Sequence, residues 1–148
     1  MVNCYKKALE FKSKYPSTIA WRLHAHSKVV EKHLNPDEEV LYVFVAQKDL
    51  GYMDFFNTNL IALTNSRIMI VSSRLLFGYR FKSITPDMYN DLTIVSGLIW
   101  GKVIIDTVKE KVLYKYISKR ALPEIETKIT SYMMEEKKKY IDPEEESE

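Results

Sequence analysis

The chain has 148 residues, 46% of them apolar and 28% charged, with a formal net charge of +2. That length holds one domain with a sizeable core, and so small a charge does not point to nucleic acid as a partner. The one cysteine, Cys4, excludes an intrachain disulfide and fits a reducing cytoplasm.

Lys6, Lys7, Glu10, Lys12 and Lys14 interrupt the start of the chain, so it lacks the apolar core of a signal peptide. The most apolar stretch, Leu92 to Ile105, is broken by Ser96, Gly97, Gly101 and Lys102 and is no membrane helix. We therefore expect a cytoplasmic protein. Residues 1–38 read as a helical extension. A short helix precedes Pro16, and Pro16-Ser17-Thr18 reads as a break leading to the N-cap of a second, with Ile19, Leu23, His26, Val30 and Leu34 at helical spacing. Asn35-Pro36 ends it.

From Glu39 the period changes to two, and residues 39–141 read as a mostly β domain closed by a helix. Val40 to Ala46 is a strand with two apolar faces, Leu41, Val43 and Val45 on one and Tyr42, Phe44 and Ala46 on the other. The second face needs a cover, and the amphipathic N-terminal helix is the nearest. Leu60 to Val71 is a hairpin turned at Thr64-Asn65-Ser66-Arg67, with Asn65 suited to positive φ. Leu75–Ile84, Leu92–Val95, Lys102–Val108 and Val112–Ser118 complete seven strands. Leu122, Ile125, Ile129, Tyr132 and Met133 then form one helical stripe, with Pro123 in the first turn. Asp142, Glu144, Glu145, Glu146 and Glu148 make residues 142–148 an acidic tail that we expect to be disordered.

This order of elements, with four local motifs, resembles the bacterial pleckstrin-homology-like (PH-like) family, and within it a short group known as YokE-like. The motifs are Asn35-Pro36-Asp37-Glu38-Glu39-Val40 leading into the first strand, Leu63-Thr64-Asn65-Ser66-Arg67-Ile68, Leu76-Phe77-Gly78-Tyr79, and Gly97-Leu98-Ile99-Trp100-Gly101-Lys102-Val103-Ile104-Ile105. The resemblance implies a seven-stranded antiparallel barrel with one end plugged by the last helix, and a binding or assembly scaffold. The chain departs from eukaryotic PH domains in having no Trp in that helix. Lys48 is followed by Asp49 and then mainly by apolar and aromatic residues, without the basic pattern by which some PH domains hold phosphoinositides.

Little in the sequence suggests catalysis. His24, His26 and His33 lack a third ligand at metal spacing, Asp87 and Asp91 suit capping, and four glycines give little material for a phosphate loop. We expect no catalytic residue, metal or cofactor. Apolar segments suggest homo-oligomerisation or a protein partner, through Tyr42, Phe44, Tyr52, Phe55, Phe56 and Trp100. The alternative is peripheral binding to an anionic membrane surface. Between Arg67 and Arg120, ten cations face four acids, and Arg74, Arg80 and Lys82 are the residues that would make that contact.

Overall fold

Residues 4–48, 58–73 and 78–138 are described by a computed structural model. Their strand periodicity resolves into one seven-stranded antiparallel sheet, ordered β4-β3-β2-β1-β7-β6-β5. The strands are β1 (Val40–Lys48), β2 (Thr58–Thr64), β3 (Ile68–Ser73), β4 (Tyr79–Ile84), β5 (Tyr89–Ser96), β6 (Trp100–Thr107) and β7 (Lys111–Ser118). The sheet curls into a half-barrel. A single 3-10 turn, Lys119–Ala121, leads to the C-terminal helix, whose Leu122, Ile125, Ile129 and Met133 are buried. Burying four such side chains stabilises by roughly 1.5–3 kcal/mol each. Gly101 of β6 lets this helix approach closely, because a Cβ there would lie 2.3 Å from Leu122 Cδ1.

Two helices precede the sheet, α1 (Cys4–Lys14) and α2 (Leu23–His33); the C-terminal helix, α3, is Leu122–Lys138. The helix after Pro16 starts later than the sequence suggests. Thr18 is not its N-cap. Its Oγ1 instead accepts the Ser118 N–H at 2.9 Å, and the Ile19 N–H donates to the Tyr116 carbonyl at 2.9 Å. The reason is a gap in the sheet: β1 and β7 share only two residue pairs, Gln47 with Lys115 and Lys48 with Tyr114. Segment 18–22 supplies partners that β1 does not. A bulge helps, since β7 advances three residues between Tyr114 and Ile117 while β6 advances two. Inside it Tyr116 takes φ 61°, and Arg22 takes φ 56° where the segment turns into α2.

The cover of β1 is an N-terminal helix, namely α1, before Pro16, with the Phe11 ring 6.3 Å from Tyr42 and 6.4 Å from Phe44. α2 packs on β2 and β3, and its His33 ring stacks at 4.1 Å on Phe81 of β4.

Two of the sequence motifs explain each other. Glu38, from the lead-in to β1, is buried and accepts from Arg67 Nε at 2.9 Å, Arg67 Nη2 at 3.1 Å and Thr64 Oγ1 at 2.7 Å. Arg67 also donates to the His33 carbonyl at 2.9 Å, and Asn65 bonds the backbone of Asp37 and Glu39. Asn65 does not take positive φ; among the described non-glycine residues only Arg22 and Tyr116 do. It is selected by its amide, which ties the β2–β3 turn to the strand lead-in. Thr64 Oγ1 accepts the N–H groups of Ser66 and Arg67, which closes the turn without a left-handed residue.

Candidate functional site

The register of the first four strands places polar residues in line at one end of a face that is otherwise apolar. Ser72 of β3 lies opposite Asn59 and Arg80, Ile70 opposite Ile61 and Lys82, and Ile68 opposite Leu63 and Ile84. Ile68 and Ile84 are buried in the core, so Arg80 and Lys82 continue that inward face toward the end where β1 finishes. There they line a cavity of about 300 Å³ with Lys48, Asn59, Ile70, Ser72, Phe81 and Tyr114.

Three cations converge on this space. Lys82 is paired with Glu110 of the β6–β7 turn. Lys48 and Arg80 have no carboxylate partner among the described residues. Burial, and then the Lys48 charge, push the Lys82 pKa below its ordinary value. The Tyr114 side chain is fully buried and its hydroxyl has no hydrogen-bond partner among the described residues. Burial raises its pKa far above the usual phenol range, which keeps it protonated and able to donate. An uncompensated buried hydroxyl costs about 1–3 kcal/mol, and Tyr114 lines the same cavity as two cations without a carboxylate partner among the described residues, which asks for an acceptor. An anion with several oxygens supplies one.

The other residues singled out in the sequence scatter. Phe44 is 1% exposed beneath α1. Tyr42 is half-buried and donates its hydroxyl to Glu124 Oε2 at 2.8 Å. Trp100, at the far end of the molecule, donates from Nε1 to the Ser17 carbonyl at 2.7 Å and meets Tyr116 edge-on. Tyr52, Phe55, Phe56, Arg74 and the acidic tail 142–148 lie outside the described residues. Of the described residues of the basic group, only Arg80 and Lys82 come together. Arg67 belongs to the Glu38 cluster, and Lys102 sits beside the β5–β6 turn.

Asn59, Ser72 and Tyr114 escaped the sequence reading, which took Lys48 only as the start of a segment without a basic pattern. The available signal was phase: Arg80 and Lys82 alternate in step with Ile84, the inward residue of β4, and so point inward too.

The residues that could carry reactive chemistry are engaged in the fold. The Cys4 thiol is buried and pushed up to about 12 by that burial, far from a reactive thiolate. His33 hydrogen-bonds the Val29 carbonyl through Nδ1 at 2.8 Å, and Asp87 bonds Thr85. Among the described residues no cluster of three His, Cys, Asp or Glu is placed to hold a metal ion, and no helix is long and apolar enough to cross a membrane.

Compared with protein families, the chain matches the family described as bacterial PH domain over residues 34–131, about two thirds of its length. The match does not select the YokE-like group within that family. Comparison with curated proteins gives no match.

Proposed function

Because the chain belongs to the bacterial PH domain family, a fold typical of interaction modules, we propose that it is a non-catalytic binding module that receives an anionic group in the Lys48–Arg80–Lys82 cavity. The observation that carries this reading is that two cations without carboxylate partners and the buried Tyr114 hydroxyl without a hydrogen-bond partner, among the described residues, line one cavity. Phosphate and its esters suit the site best: planar Arg80 engages two oxygens at once, Lys48 adds a point charge, and Tyr114 and Ser72 donate hydroxyls. A cavity of about 300 Å³ holds such a group and a small substituent.

The reading draws on the anionic-surface alternative and modifies the expected self-association. Tyr42 and Phe44 use their surfaces within the chain, which leaves a smaller apolar area for a second copy. The single buried cysteine supports a cytoplasmic setting.

Calorimetric titration of the full chain with inorganic phosphate tests the proposal. Arg80→Ala is expected to weaken binding about tenfold, since a charge-assisted pair contributes roughly 1.5–3 kcal/mol. Titration with a soluble phosphate ester and with phosphatidic acid vesicles separates a free ligand from a lipid headgroup. Absence of binding to all three probes, or an Arg80→Ala variant that binds as well as the parent, would refute it.

A further inference from the structure

At the opposite end of the half-barrel, β5 and β6 are joined through Gly97-Leu98-Ile99, and this turn points apolar side chains at solvent. Leu98 is 88% exposed, Ile99 52% and Val95 47%, with Ile94 exposed on the strand behind them. A soluble chain gains nothing from two large aliphatic side chains at a turn whose own geometry needs only glycine. The Gly97 N–H bonds the Trp100 carbonyl at 2.9 Å, and a Cβ at Gly97 would sit 2.4 Å from that oxygen. The tip is also held from below. The Lys119 N–H donates to the Ile99 carbonyl at 3.1 Å, and Trp100 is pinned by Ser17 and Tyr116. It is a built projection on a braced base.

Its rim is basic. Lys102 is exposed and lies across the ladder from Val95, and the exposed Lys119 and Arg120 follow the residue that pairs with Trp100. None of the three pairs with a carboxylate among the described residues. Segments 93–102 and 117–121 contain no Asp or Glu at all. An aliphatic tip ringed by cations of one sign fits a surface that is apolar in depth and negative at its face.

We infer that the β5–β6 hairpin tip docks on an anionic lipid bilayer, with Leu98 and Ile99 entering the acyl boundary and Lys102, Lys119 and Arg120 meeting headgroups. A second copy of the chain is the weaker occupant. A two-fold contact of tip on tip would bring each basic rim against its own duplicate, and like charges across an interface oppose association. A bilayer of acidic lipids instead attracts every one of those cations, by a factor of about five each. The inference is independent of the anion cavity, which lies at the other end of the strands.

Co-sedimentation of the full chain with phosphatidylcholine vesicles, with and without phosphatidylserine, tests it. Binding is expected with phosphatidylserine only, falling as salt rises. Leu98→Asp is expected to weaken it at least about tenfold, since it removes a buried aliphatic group and adds a repelled charge. Lys119→Ala is expected to weaken it about fivefold. Circular dichroism melts of both variants should match the parent, because neither side chain is packed. Arg80→Ala should leave vesicle binding intact while weakening phosphate binding, so the two proposals fail separately. No vesicle binding, or vesicle binding lost in Arg80→Ala but kept in Leu98→Asp, would overturn the inference. So would a dimer in light scattering that Leu98→Asp dissolves.

Discussion

Arg67, in the β2–β3 turn, and Arg80, on β4, belong to one sheet and have opposite roles. Arg67 is 18% exposed at its side chain and meets a Glu38 carboxylate that is 1% exposed, a backbone carbonyl and the Ser83 hydroxyl. Arg80 is exposed at the mouth of a cavity and meets no carboxylate among the described residues. The first arrangement is closed, with donors and acceptors matched inside the chain. The second is open, with positive charge and a buried hydroxyl left for something else. A basic residue in this fold signals function by what it lacks, and position in the sequence does not distinguish the two.

The largest effect that tests this contrast is on stability. Arg67→Ala strands the Glu38 carboxylate beneath the β2–β3 turn, and Glu38→Ala strands the guanidinium. Either is expected to cost about 3–5 kcal/mol in urea denaturation, as for one partner removed from a buried pair. Arg80→Ala is expected to change stability by no more than about 0.5 kcal/mol. Equal losses for Arg67→Ala and Arg80→Ala would erase the distinction between a closed and an open site.

Acid should break the closed regions first, and the sign follows from the pKa directions. Burial, and then the Arg22 charge, depress His26 from 6.5 to about 4, so the folded state favours the neutral ring. A group depressed in the folded state contributes stability above its unfolded pKa and loses it as pH falls toward the folded one. Between pH 6.5 and about 4 the protein is expected to lose about 3 kcal/mol from this residue, and His26→Phe should flatten that part of the profile. Glu38 adds to the loss at lower pH. Burial would raise its pKa, but hydrogen bonds from Arg67, Thr64 and the Asn35 N–H outweigh that and hold it below the ordinary 4.5. Its contribution is present above 4.5 and fades as pH falls through the lower folded value. Phosphate binding at Arg80 should persist across the upper part of this range, because guanidinium does not titrate there.

What the sequence made legible follows from the range of each signal. Period-two alternation and the helical stripe from Leu122 to Met133 are local, and they placed seven strands and the last helix within a few residues of where they stand. The first helix of the extension was legible for the same reason. Contacts that close over long separations were not. Thr18 looks like an N-cap until Ser118, 100 residues away, claims its hydroxyl. Asn65 looks like a turn former until Asp37 and Glu39 claim its amide. Phe44 looks like a surface in search of a partner until Phe11 covers it. The cavity shares this property: Lys48, Asn59, Ser72, Arg80 and Tyr114 come from five strands, and no local pattern ties them together.

The smallest effect is the most diagnostic. Tyr114→Phe removes one oxygen from the fully buried side chain and leaves its packing against β6 in place. If the hydroxyl were structural, the change would cost about 1 kcal/mol, the usual worth of a hydrogen bond. Because it has no partner among the described residues, removing it is expected to raise stability by about 1 kcal/mol, read as a higher denaturation midpoint with an unchanged slope. The same substitution should weaken phosphate binding severalfold, since a donor is lost. A gain in stability joined to a loss of binding is what a binding group does when it is held unsatisfied in the free protein. A destabilised variant that binds phosphate normally would instead place Tyr114 with Arg67, among residues whose partners lie inside the fold.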